Sequence, residues 1–518
     1  MKKLLYIGIL CLLSCSLFAQ KNIENTYRNP VISGDFPDPT VIRVGNDYYA
    51  AGTTSDFAPS YPLYHSKDLV NWDRIGSVFT DPPAWIKGDC WAPELFYNDG
   101  TFYVYYTARR KSDNITCIGV ATTKDITKGF TDHGIIVDWG KEAIDAYINK
   151  DDDGKLYITW KAYGLDDRPI ELLGSELSAD GLSLVGEPFS ISLPSKGWIE
   201  RGDEGQCIVK HNGYYYMLYS IGGCCDFRCD YRVHVARSKS LKGDWEQYEP
   251  NPILEGGNLW NCSGHGTLVQ TPDGRYFYLY HAYQTYDFDF VGRQGLLDEM
   301  LWDETTGWPY FKNGNTPTAQ APVPFEGTVQ KRQYQFHDNF TTAANDQYWL
   351  WDMNLPKPEI IKGNDKMTMR VTENNNMVFR GINPKTGNYV MQTEVENTGS
   401  NLKGLAVYGN KDNLFVWGLS GSSVKLYKYV KGVKTELFSK QVDAKKVALK
   451  VQSVNARSFR FSWSADPKDW TSFPEGNSVV DGGFLPQWGK GVRVGLFVNS
   501  ENGNDSGTFS YFTIDNKF

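Results

Sequence analysis

Gly34-Asp35-Phe36-Pro37-Asp38-Pro39-Thr40-Val41-Ile42-Arg43-Val44-Gly45-Asn46-Asp47-Tyr48-Tyr49 reads as a carboxylate, an alternating strand, a tight turn and an aromatic strand. The same pattern recurs four more times, each time with a different polar residue in the leading position. The aromatic turns are Asn46-Asp47-Tyr48-Tyr49, Gly100-Thr101-Phe102-Tyr103, Gly154-Lys155-Leu156-Tyr157, Gly213-Tyr214-Tyr215-Tyr216 and Gly274-Arg275-Tyr276-Phe277. Their starts lie 54, 54, 59 and 61 residues apart. A period of that length with several short strands per unit predicts a β-propeller. Third segments such as His65-Ser66-Lys67-Asp68 and Ala236-Arg237-Ser238-Lys239-Ser240 fit further antiparallel strands with polar turns. Five units predict five blades over residues 24–312.

The residues in the leading position are Asp38, Glu94, Asp145, Glu204 and His265, placed 8, 6, 9, 9 and 9 residues before their turns. In a propeller the first strand of each blade lines the central axis, so equivalent positions converge on one end of one channel. Four acids and a histidine in matching positions form a constellation that acids scattered over a surface would not show. Each also has a plainer reading. Asp38-Pro39 is a turn starter, Glu204 a surface acid, Asp145 a structural acceptor and His265 an interior histidine.

Working outward, Asn313-Gly314-Asn315-Thr316-Pro317 through Pro322-Val323-Pro324 is rich in proline and small residues, which predicts a strap or linker over 313–335. Residues 336–518 carry alternating runs such as Tyr389-Val390-Met391-Gln392-Thr393-Glu394-Val395 and no useful helical period, which predicts a β-sandwich. The fold class is therefore all-β, a five-bladed propeller followed by a sandwich. The chain has 518 residues, 53 Lys plus Arg and 61 Asp plus Glu, for a net charge of −8. That balance argues against a nucleic-acid binder. Aromatics make up 14% of the chain. They suit stacking on sugar rings and equally suit strands.

Lys2, Lys3 and the apolar run Leu4 to Leu13 form a targeting segment, with Leu17-Phe18-Ala19 as a cleavage site and residues 1–19 as the signal peptide. The run is too short for a comfortable membrane span. An exported protein, periplasmic or secreted, is expected. Acylation of Cys15, giving a lipid anchor at the cell envelope, is the alternative. Seven cysteines lie beyond this segment, an odd number, so at least one is free or pairs between chains. Cys224, Cys225 and Cys229 lack the second half of a zinc motif and predict a local disulfide or buried thiols. Asn149-Lys150-Asp151-Asp152-Asp153-Gly154 starts like a calcium loop, but Trp160 stands where the closing Glu belongs, so a β-turn is expected.

Glycosidic cleavage needs two carboxyls with opposed jobs, one protonating the leaving oxygen and one activating water or attacking directly. A third group commonly sets their protonation states. Asn29-Pro30-Val31, Phe36-Pro37-Asp38-Pro39, Trp91-Ala92-Pro93-Glu94, Ile144-Asp145, Asp203-Glu204-Gly205, Gly264-His265-Gly266 and Gly307-Trp308-Pro309 resemble, in order, the motifs of glycoside hydrolase family 43. The resemblance covers residues 28 to about 312 and implies an inverting enzyme acting on arabinose- or xylose-containing glycans. It implies Asp38 as general base, Glu204 as general acid and Asp145 as the residue that orients and tunes Glu204. Arg293 would contact the sugar and the tuning Asp, Phe36 and Trp91 would wall the pocket, and His265 would bind calcium directly or through water. Glu94 is left to substrate contact or structure. Ala146 and Gln206 depart from the usual prolines, which puts fine geometry in question. The sandwich resembles concanavalin-like domains of some members, which pack on the propeller and help wall the pocket. Sugar binding or a stabilising lid are the other roles open to it.

The expected activity is removal of terminal α-L-arabinofuranosyl residues. A β-xylosidase is the alternative, and Gly222-Gly223-Cys224-Cys225 resembles arabinan-active members. A catalytically inactive carbohydrate-binding propeller is the reading from another class.

Overall fold

The computed structural model describes residues 25–163, 170–191, 203–226, 228–466 and 468–517, so the targeting segment lies outside the described residues. Five four-stranded antiparallel sheets follow one another along the chain. Their inner strands are Thr40–Val44, Ile86–Asn98, Glu142–Lys150, Glu204–His211 and Trp260–Gln270. Each inner strand touches the next, and the fifth returns to the first, closing the ring. Every blade begins with a hairpin whose turn is one of the repeated segments. Gly100, Gly154, Gly213 and Gly274 take φ between 75° and 87° there, a conformation that a side chain disfavours. In the first blade that place falls to Gly45, at φ 64°.

Propeller closure uses the chain ends. Ile32 bridges to Gly295 in the fifth blade, and Asn29 bonds Leu297 through both its amide groups. The stretch read as a strap carries the strand Gln320–Pro322, which pairs with Thr26–Arg28. The Pro-rich segment therefore holds the two ends of the propeller together. Asp151 to Gly154 form a hydrogen-bonded turn, and Asp151 takes bonds from Tyr215 and Lys210.

The C-terminal part is two packed sheets of nine and six strands. Tyr389–Glu396 alternates strictly between buried and half-buried positions, as a strand with one face on a core must. Met391, Val395, Leu405, Phe415 and Trp417 meet between the layers. The Trp417 indole N–H reaches the Ser462 carbonyl at 2.9 Å, which satisfies the one polar atom of a fully buried ring.

The two domains are joined through buried charge. Asp35 and Arg493 form an ion pair at 2.8 Å with side chains 4% and 2% exposed. The same carboxylate accepts from the backbone N–H of Arg293 at 3.1 Å and of Gly491 at 3.2 Å. Arg493 also lies 4.7 Å from the Phe57 ring. Removing one member of such a pair strands the other without water. Arg493→Ala is therefore expected to destabilise the protein by about 3–5 kcal/mol in denaturant unfolding, and a change below about 1 kcal/mol would contradict this account of the junction.

Candidate active site

Four of the five inner strands carry a β-bulge at the same end, beside Glu94, Asp145, Glu204 and His265. A bulge puts two residues opposite one and re-aims a side chain. Asp38, Asp145 and His265 also sit at φ 51°, 58° and 41°, in the left-handed region that residues with side chains rarely enter. Backbone of this kind points polar side chains along the channel axis instead of into the blades. Gly205, at φ 60°, lets the fourth strand pass His265, since a Cβ there would stand 2.7 Å from the imidazole.

Asp38, Asp145, Glu204 and His265 come together on the wall of one cavity of about 660 Å³, with Trp91 and Arg293. Asp38 accepts from Arg293 Nη1 at 2.8 Å and from Thr53 Oγ1 at 2.7 Å. Burial alone would raise its pKa. The Arg293 guanidinium, then His265 and His281, outweigh burial and hold the carboxyl well below the usual range. His281 Nδ1 lies 3.0 Å from the Asp38 backbone nitrogen and 3.2 Å from its carboxylate. Burial, with Arg293 next in effect, pushes His281 down to about 4, so it stays neutral at neutral pH.

Glu204 accepts from Lys161 Nζ at 2.5 Å and from the Tyr231 hydroxyl at 2.9 Å. Burial opposes its ionisation, but the Lys161 ammonium, followed by His265 and Tyr231, brings its pKa below the ordinary value. Asp145 behaves oppositely. Burial, reinforced by the Glu204 and Asp38 carboxylates, pushes it up to about 7. His265 Nδ1 lies 3.6 Å from Asp38 and 3.8 Å from Asp145, between the two acids. Burial thus pushes Asp145 up while Lys161 holds Glu204 down, and the two carboxyls are driven apart.

Two sequence expectations are corrected, for Phe36 and Arg293, and of the two roles open to Glu94 the structural one fits. Phe36 does not wall the pocket. It is 1% exposed, packed edge-on against Tyr64 at 5.1 Å, and it supports the strand behind Asp38. Arg293 pairs with Asp38 and not with the tuning Asp145, because it opens the third strand of the fifth blade, beside the first. Glu94 does not line the pocket. Burial raises it to about 8, and it bonds Thr40 as a protonated structural acid. The departure at Gln206 has a local remedy, since its amide donates to the Asp145 carbonyl at 2.6 Å and fixes that backbone.

Among the described residues no cluster of three or more His, Cys, Asp or Glu side chains is arranged to hold a metal ion. The carboxylate nearest His265, Asp38, is paired with Arg293.

Sequence reading missed Lys161, Thr53, Tyr231 and His281, none of which occupies the repeated leading position. A charge inside Leu156-Tyr157-Ile158-Thr159-Trp160-Lys161 and a histidine inside Tyr278-Leu279-Tyr280-His281 were the available signals. The sandwich also reaches the pocket, through Gln487, Trp488, Gly489 and Lys490. Trp488 is 58% exposed there. Arg293 Nη2 donates to the Gly489 carbonyl at 3.4 Å, and Lys490 pairs with Asp56. Cys224 and Cys225, joined as a disulfide, line the same pocket, with Cys225 next to Gly489. Cys229 and Cys262 form a second disulfide that ties this loop to the His265 strand, while Cys90, Cys117 and Cys207 are buried free thiols.

Residues 27–309 match the model of glycosyl hydrolases family 43, and residues 337–515 match the beta xylosidase C-terminal concanavalin A-like domain. A xylan 1,3-beta-xylosidase of Vibrio sp is 30% identical over 334 residues, covering 58% of this chain and 60% of that protein. The non-reducing end alpha-L-arabinofuranosidase BoGH43B of Bacteroides ovatus is 30% identical over 306 residues, covering 55% of this chain and 53% of that protein. The match thus spans between half and two thirds of each curated relative. The crystal structure of the GH43 BlXynB protein from Bacillus licheniformis superposes with a TM-score of 0.81 at 24% identity, covering 95% of this chain and 100% of that one, which shows a shared fold. With a family model matched across all five blades, the chain belongs to glycosyl hydrolases family 43.

Proposed function

We propose that the protein is an exported, inverting, exo-acting glycosidase that removes terminal α-L-arabinofuranosyl residues from plant cell-wall glycans. The observation that carries this reading is the set of three carboxyls, Asp38, Asp145 and Glu204, on one pocket wall, with Arg293 paired to Asp38 and Lys161 to Glu204. Asp38 takes a proton from water as that water attacks the anomeric carbon. Glu204 gives its proton to the leaving oxygen on the other face. Glu204 must carry a proton for that step, which requires the hold of Lys161 on it to weaken when a sugar binds.

Exo action is supported by the sandwich loop Gln487 to Lys490, which turns a groove into a pocket. Export is supported by the disulfides Cys224–Cys225 and Cys229–Cys262, which suit an oxidising compartment. A β-xylosidase is the second reading, favoured by the match of the C-terminal domain to that of beta xylosidases. The inactive sugar-binding alternative loses ground, because such a protein has no need to hold two acids in opposed protonation states.

Nitrophenyl arabinofuranoside should be hydrolysed faster than nitrophenyl xyloside. The reverse order would move the assignment to the xylosidase reading, and hydrolysis of neither, with cleavage of linear arabinan, would overturn exo action. Lys161→Met removes the ammonium that depresses Glu204. The acid then keeps its proton to higher pH, so the alkaline limb of the kcat/KM profile should move upward. An unchanged limb would separate Lys161 from the acid.

A further inference from the structure

A second cavity of about 590 Å³ lies at the domain junction and shares no lining residue with the active-site pocket. The first blade, the segment after the strap and the sandwich all contribute to it. Its most unusual occupant is Arg74, which is 8% exposed yet forms no ion pair with any carboxylate among the described residues. One of its Nη atoms donates to Ser77 Oγ at 3.2 Å, its guanidinium lies 5.8 Å from the Tyr348 ring, and its Nε has no hydrogen-bond partner.

Lys385 lines the same cavity, half-buried, with no acceptor for its ammonium among the described residues. Burial lowers the basicity of both groups. Lys331 and Arg332 add further positive charge. Of the two carboxylates present, Asp35 is taken by Arg493, and Asp73 is exposed to water. A buried cation left without an anion is costly, and a second unpartnered buried atom, Asn383 Oδ1, lines the same space. Trp72 lines it too and makes no ring contact with another aromatic among the described residues. A cavity of this size accommodates a small ligand. Arg74 and Lys385, neither in an ion pair among the described residues, together with amides and a tryptophan match one chemistry, a sugar bearing a carboxylate.

We propose that this cavity binds a uronic-acid-bearing glycan, the carboxylate met by Arg74 and Lys385, the sugar face by Trp72 and hydroxyls by Asn383. The site does not rest on the hydrolytic reading of the other pocket. It would hold an acidic, branched polysaccharide against the protein independently of turnover.

Titration calorimetry of the full chain with an aldobiouronic acid, glucuronic acid linked to xylose, tests this. Xylobiose serves as neutral control and inorganic sulfate as plain anion. Saturable binding of the acidic disaccharide is expected, weakened about tenfold or more in Arg74→Gln and in Lys385→Gln, with thermal unfolding of the variants unchanged. Should Arg74→Gln fail to fold, Lys385→Gln, at a half-buried position, carries the test. No saturable binding, binding unaltered in the variants, or equal binding of xylobiose or of sulfate would overturn the proposal.

Discussion

Two carboxylates three residues apart, Asp35 and Asp38, are both buried and each is paired with an arginine. Asp35 is answered by Arg493 from the sandwich and Asp38 by Arg293 from the fifth blade, each at 2.8 Å. The Arg293 backbone also donates to Asp35, and its side chain reaches the Gly489 carbonyl of the sandwich. First blade, last blade and second domain therefore meet on one short segment. Charge taken out of water forces this arrangement, since a carboxylate in such a place persists only when its partner is close and its remaining lone pairs are bonded. The same contacts that close the ring and seat the sandwich keep Asp38 deprotonated.

The rest of the pocket turns on one imbalance of charge. Lys161 stands against Glu204 and no cation among the described residues stands as close to Asp145, so burial dominates at Asp145 and is overcome at Glu204. His265 lies between Asp38 and Asp145 and favours the ionised form of both. The balance between these two carboxyls is thus a property of neighbours on four blades, and a sugar that disturbs the Lys161 contact changes it. The left-handed backbone at Asp38, Asp145 and His265 costs of order 1–3 kcal/mol per residue. The bulges and the Gly205 crossing hold it in place.

The propeller was legible because its hairpins repeat a geometric need, a left-handed turn followed by an aromatic strand. The acids were legible because they share a phase with those hairpins. What escaped reading has no such phase. Lys161 and His281 lie mid-strand on second strands, where a polar residue facing the channel looks like any strand residue. Arg493 and Gly491 meet Asp35 across more than 450 residues of sequence, and no local pattern announces that meeting. Phe36 was read as a pocket wall from its place beside Asp38. The left-handed turn at Asp38 sends the carboxylate one way and leaves the ring in the core.

The central claim is that Asp38 acts as a base on water. Proton NMR of the first-formed sugar during turnover of an aryl arabinofuranoside reads it most directly. The account predicts product of inverted anomeric configuration before mutarotation. Product of retained configuration would make Asp38, or another carboxyl, a nucleophile that bonds the sugar, and would contradict the account.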